Sequence, residues 1–247
     1  MLTNNIETVV DTSRALQDVF YKYTHLPIGG KEIVCPYWMN NLKRGVYGIG
    51  GGKGTPEEIV KNTLAEAESQ NVDLKSFSIS QIVEFMQTNK IGIDCSGFGF
   101  WMLNALDWEK GGNGLADNIP GCVGKTIKTR ANVKMLTDEN VSYFIETVGK
   151  IQPGDMFRFR GGKHIAIVLS IIKDAKNNLK EIIYAHSSSS AYCQTSGVHS
   201  NKIIIVNPDL DLKQQEWLEK TNNGLNYSQN IWPDRGDGVK RLKIWSK

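Results

Sequence analysis

Residues 92–100 read Gly-Ile-Asp-Cys-Ser-Gly-Phe-Gly-Phe and open the stretch that most limits what this chain can fold into. Phe98, Trp101, Met102 and Ala105 recur at the spacing of one helix face. Asp94 is a strong N-cap residue, so Cys95 is expected to be the first residue of a buried helix. Unpaired N–H groups at a helix start carry partial positive charge, which favours a thiolate and predicts a lowered thiol pKa. A core cysteine at a helix start is the plain alternative.

Residues 151–172 add a second constraint. Pro153-Gly154-Asp155 reads as a turn, and Phe157 and Phe159 alternate with Arg158 and Arg160 as in a half-buried strand. Gly161-Gly162 can reverse the chain into a strand that opens on His164. After a polar stretch from Lys173 to Lys180, residues 181–186 predict a third strand ending on His186. A hairpin turning about Ala175 sets His164 opposite His186, with Cβ atoms about 4.5–5.5 Å apart. A one-residue slip would send the two rings to opposite faces. Either histidine alone reads as a strand-end residue with satisfied hydrogen bonds. Together with Cys95 they make a nucleophile, a base and an orienting group.

The chain of 247 residues is 40% hydrophobic and 22% charged, which suits one soluble globular domain, 1–247. A net charge of +3 is too mild to indicate nucleic acid, though it suits anionic polymers. The longest apolar stretch, Ile165 to Ile172, is strand-sized, so no membrane span is expected. The N-terminus shows no basic segment leading into an apolar one, which points to the cytoplasm or to release by lysis unless a leader has been trimmed. Cys35, Cys95, Cys122 and Cys193 fit neither a disulfide framework nor a zinc spacing. With Cys95 as nucleophile an odd number remains, which leans towards a reducing compartment.

Ile6, Val9, Val10, Leu16, Val19 and Phe20 predict an amphipathic helix up to about Tyr23. Residues 45–54 are glycine-rich and read as a mobile loop. Thr55-Pro56-Glu57-Glu58 and Ser78-Ile79-Ser80-Gln81 are capping boxes that open two helices. Val141, Phe144, Ile145 and Val148 predict a short helix, Lys202 to Val206 a strand, Leu212 to Lys220 a helix, and Val239 to Trp245 a last strand.

Other motifs are set aside. The glycine loop has no G-x-G-x-x-G register, and Gly124-Lys125-Thr126 lacks the earlier glycine of a phosphate loop, so no nucleotide cofactor is expected. Arg235-Gly236-Asp237 reads as a surface turn. Asp209 and Asp211 lack the rest of a calcium loop. His25 and His199 are isolated and expected to face solvent. With no H-E-x-x-H or C-x-x-C, no metal is expected.

Taken in order, Asp94-Cys95-Ser96-Gly97-Phe98, Pro153-Gly154-Asp155 with His164-Ile165-Ala166-Ile167-Val168, and Tyr184-Ala185-His186-Ser187 resemble the NlpC family of papain-like cysteine peptidases, which are bacterial cell-wall hydrolases. Pro36-Tyr37-Trp38 is similar to the family's upstream tyrosine segment, and Ser196-Gly197-Val198 to a Gly-Val that leads into a further strand. The resemblance implies an α+β, papain-like NlpC fold with the nucleophile helix on an antiparallel sheet. It implies catalysis by Cys95, His164 and His186, with Tyr37 near the oxyanion and Asp94 and Ser96 on a substrate amine. The implied substrate is a peptidoglycan stem peptide or muropeptide, often cut after γ-D-glutamate, and no cofactor is implied. Residues 39–90 exceed the family's usual link and are expected to form a helical insertion bordering the cleft. Two other functions use such a scaffold: thioester-based acyl transfer or lipid deacylation, and non-catalytic binding.

Overall fold

A computed structural model describes residues 8–40, 48–117, 119 and 131–245. Cys122 and Gly124-Lys125-Thr126 lie outside the described residues. The architecture is α+β. In chain order come β1 (Val9–Thr12), α1 (Arg14–Thr24), β2 (Leu26–Ile28), β3 (Lys31–Ile33), α2 (Pro56–Ser69), α3 (Ile79–Thr88) and α4 (Cys95–Glu109). Then follow β4 (Ser142–Phe144), β5 (Met156–Phe159), β6 (His164–Lys173), β7 (Leu179–Ser188), β8 (Gly197–Ile204), β9 (Glu216–Trp217) and β10 (Gly238–Leu242). The main sheet is antiparallel with strand order β4-β10-β5-β6-β7-β8-β9, and β1 pairs with β6 beyond the end of β5.

Both capping boxes form: Thr55 with Glu58 opens α2, and Ser78 with Gln81 opens α3. Asp94 caps α4 as expected, its Oδ1 accepting the Gly97 N–H at 2.6 Å. Helix α4 is buried along most of its length because it lies on the sheet, against Ile165, Ile167 and Leu169 of β6 and Ala185 of β7. The opposite face of the sheet carries Ala166, Val168, Tyr184 and Ile203. These pack with Phe157, Phe159, Trp217 and Tyr227 into a second core.

One expected helix is shortened and two others take other forms. Val9 and Val10 sit in edge strand β1, and the helix starts only after Ser13 supplies its cap. Residues 142–144 form strand β4, followed by a single 3-10 turn at Val148–Lys150. Residues 212–220 give a 3-10 turn and the short strand β9, because Glu216 and Trp217 extend the sheet against Ile204 and Ile203. In each case the apolar spacing is short enough to serve either period, and sheet pairing decides.

The β6–β7 register differs from the expected one by two residues: Ile167 faces Ala185 and Val168 faces Tyr184. An even offset preserves the face, so His164 and His186 still project to the same side. A bulge at Leu169 then inserts one residue, after which Ser170 faces Ile183. That is why Leu169 points to the helix side while Ile171 points to the second core.

Candidate active site

Four segments meet at the start of α4. The Ile93 N–H donates to Pro36 O at 3.0 Å, and the Trp38 N–H returns to Ile93 O at 3.2 Å. The Val198 N–H donates to Cys35 O at 3.0 Å, and Ser187 Oγ donates to Ile93 O at 2.8 Å. The strand leading to Cys95 is thereby fixed to both Tyr37 and the end of β7. The tyrosine segment and the Gly197-Val198 segment singled out in the sequence therefore flank this strand.

Cys95 lies at the N-terminal tip of α4, only 6% exposed, with the backbone N–H of Ile165 directed at its sulfur. Residue 165 follows His164, so the sulfur sits where β6 begins. Burial, helped by the neighbouring Asp94 carboxylate, pushes the Cys95 thiol up to about 11; Lys53, the Ile165 N–H and Arg160 only moderate this. The expected thiolate is thus overturned. Desolvation outweighs the helix-start charge, and the resting group is a neutral thiol.

His164 is buried, and its Nε2 lies 2.7 Å from His186 Nδ1. His186 Nε2 lies 3.1 Å from Glu219 Oε1. Tyr184 donates its hydroxyl to Glu219 Oε2, and His199 Nε2 lies 3.2 Å from Oε1. Burial raises the cost of charge on Glu219. His186 and His199 more than offset it and hold the carboxyl well below the usual range. Burial, the partner histidine and Arg160 hold His164 far below an ordinary imidazole, and burial likewise lowers His186.

These states fix the tautomers by hydrogen-bond logic. The Glu219 carboxylate can only accept, so His186 carries its proton on Nε2. Its Nδ1 must then accept, so His164 carries its proton on Nε2. The lone pair of His164 is left on Nδ1, the one ring nitrogen not engaged by His186.

His199 is not solvent-facing. It pairs with His186 across β7 and β8. Although burial opposes its charge, the Cys193 thiol and Glu219 raise it to about 9, so at neutral pH it is an imidazolium paired with Glu219. The ligand atoms of His186, His199 and Glu219 lie within 4.8 Å of one another, close enough to hold a metal ion. With His199 charged, the group is already a neutralised, hydrogen-bonded set.

Asp94 and Ser96, the expected amine ligands, already hold an ammonium. Lys53 Nζ reaches Asp94 Oδ1 at 2.6 Å, Oδ2 at 2.5 Å and Ser96 Oγ at 2.7 Å, and all three residues are buried. The end of the glycine-rich loop that brings Lys53 in is pinned, contrary to the mobile loop expected there. Gly52 O accepts the Asp94 N–H at 3.0 Å, Lys53 O accepts Trp101 Nε1 at 2.9 Å, and Gly54 O accepts the Tyr23 hydroxyl at 2.8 Å. Gly52 has φ 74, and a Cβ there would strike Trp38 O.

Tyr37 stands near Cys95, Asp94 and Arg160. Burial keeps it a phenol, and among the described residues its hydroxyl makes only a 3.5 Å contact to Met39 Sδ. Tyr37, Met39, Gln87 and Tyr192 line a cavity of about 370 Å³, so both ends of the 39–90 segment meet beside Tyr37. Asp237 accepts from Arg158 Nη1 and from the Gly161, Gly162 and Trp232 N–H groups, which clamps the turn that delivers His164. The Arg235-Gly236-Asp237 turn is therefore structural.

Sequence reasoning missed Glu219, Lys53, Arg160 and His199 as members of the site. Each acts across the fold with no local spacing to betray it. The only hint for Lys53 is a charged residue set between two glycines. Among the described residues, no helix is long and apolar enough to cross a membrane. Comparison with protein-family models, with curated proteins and with solved structures found no match.

Proposed function

We propose that this chain is a papain-like cysteine amidase of the NlpC kind, acting on an amide bond of peptidoglycan stem peptides. The observation that carries the reading is the hydrogen-bonded series Glu219–His186–His164, which leaves a lone pair on His164 at the start of the strand whose Ile165 N–H meets the Cys95 sulfur. Such a series serves proton transfer to and from a nucleophile.

Cys95 Sγ attacks the amide carbonyl as its proton passes to His164 Nδ1. The tetrahedral oxyanion is met by the Cys95 N–H at the helix start and by the Tyr37 hydroxyl. His164 returns the proton to the leaving nitrogen as the C–N bond breaks, giving a thioester. It then takes a proton from water as the water oxygen attacks the thioester carbonyl, and gives that proton to the sulfur as the C–S bond breaks and the acid is released. Glu219, through His186, stabilises the imidazolium formed at each step. Asp94 and Ser96 have no part in binding a substrate amine here, because Lys53 fills that place.

Incubating the protein with purified peptidoglycan and with phospholipid vesicles, followed by mass spectrometry, tests the reading. Stem-peptide fragments are expected, absent with Cys95→Ala and reduced about 10²-fold with Glu219→Gln. Fatty-acid release in place of peptide fragments would favour the lipid deacylase. Intact peptidoglycan and intact lipid would sink the enzyme altogether.

A further inference from the structure

We infer that His186, His199, Glu219 and Cys193 form a zinc site, and that zinc bound there withdraws the base from Cys95. The site stands on its own geometry; its effect on the reaction rests on the hydrolase reading.

Strand pairing brings the four side chains together. His186 on β7 pairs with His199 on β8, and Cys193 pairs with Thr221, two residues beyond Glu219. His186 Nε2 and His199 Nε2 lie 3.1 and 3.2 Å from Glu219 Oε1, and the three ligand atoms fall within 4.8 Å of one another. Ligands bound at about 2.0–2.1 Å in a tetrahedron stand about 3.3 Å apart, so both contacts have the length of a zinc polyhedron's edge. The Cys193 sulfur is 4.0 Å from His199 Nε2. A nitrogen–sulfur edge measures about 3.6 Å, so a small side-chain shift closes the fourth corner. Imidazole and thiol ligands select zinc over magnesium or calcium, which take oxygen ligands. Outer contacts already aim the set: His199 Nδ1 lies 3.0 Å from Gly197 O, which leaves Nε2 to bind, and the Tyr184 hydroxyl holds the other Glu219 oxygen. His199, with a tenth of its side chain exposed, opens the group to solvent.

Without the ion, protons fill these gaps. Zinc sends two of them to solvent, one from His199 Nε2 and one from the Cys193 thiol, and takes the place of the proton on His186 Nε2. The dication then meets one carboxylate and one thiolate, so no uncompensated charge is buried. A neutral His186 bound through Nε2 carries its proton on Nδ1 and donates it to His164 Nε2, 2.7 Å away. That nitrogen must accept, so the His164 proton moves to Nδ1. The lone pair that receives the Cys95 proton in the proposed reaction is thereby used up. One ion reverses two tautomers in series, and the amidase is off while zinc is bound.

Metal titration of the Cys95→Ala protein tests the site with the nucleophile's own thiol removed. One zinc per chain is expected against a chromophoric chelator, and cobalt in its place should show a thiolate-to-cobalt charge-transfer band. Cys193→Ser in the same background should abolish that band and weaken zinc by at least about 10–100-fold, the cost of losing even an outer-shell partner. No stoichiometric zinc, or zinc binding indifferent to Cys193→Ser, overturns the site. The switch is read by NMR of isotope-labelled histidine: zinc should move the His164 proton from Nε2 to Nδ1, and an unchanged tautomer overturns the switch. Zinc should also stop peptidoglycan cleavage by the native protein at a concentration that spares Cys193→Ser. A metal-free protein that leaves peptidoglycan intact overturns the hydrolase reading, whereas the zinc site stands or falls on the titration.

Discussion

At the residue scale, the chemistry turns on two groups that are both neutral at rest. A thiol at about 11 and an imidazole far below its ordinary range do not form a standing thiolate–imidazolium pair. Below its pKa a thiol gains thiolate about tenfold per pH unit. Alkylation of Cys95 by iodoacetamide should therefore climb steadily from neutral pH, with no plateau until about 11. A plateau near neutral pH would mean that the two groups exchange their proton before any substrate arrives. Cys95 and His164 were placed from the sequence because each begins an element, and His186 because it lies near the end of one; element ends can be read locally. Glu219 was not. It lies in a stretch whose spacing suits a helix, and it reaches the site only because β9 pairs with β8. Lowered thiol pKa was the wrong expectation for a related reason: a sequence shows the helix start but not the depth of burial.

At the element scale, the start of α4 is held from below by the loop that carries Lys53. Removing one partner of a buried ion pair leaves the other uncompensated, which costs about 3–5 kcal/mol. Lys53→Met should lower stability by about that amount, read from urea midpoints. Adding Asp94→Asn should recover much of the loss, since the stranded carboxylate is gone and asparagine still caps a helix. A single-variant loss below about 1 kcal/mol would show the pair to be dispensable. The capping boxes of α2 and α3 and the cap of α4 were fully legible, because caps are written in adjacent residues. Short segments such as 142–144 and 216–217 were not, because only pairing with a distant strand makes them strands.

At the scale of the whole molecule, the 39–90 segment joins the tyrosine segment to the nucleophile, and Met39 and Gln87 share a cavity with Tyr37 and Tyr192. If the proposed reaction holds, this wall favours short, free stem peptides over cross-linked wall. Soluble muropeptides should be cleaved faster than whole sacculi, and Gln87→Trp, which fills the cavity, should raise KM for muropeptides. Faster cleavage of sacculi would contradict the gate. The bulge at Leu169 bears on how such a chain can vary over generations. It takes up one surplus residue partway along the hairpin, so the far half of the two strands can drift in length while the near half keeps its phase. A single residue added or removed around the 174–178 turn can thus be taken up in the far half without turning a histidine away from its partner. The bulge works as a slack link between the part of the hairpin free to change and the part that is not.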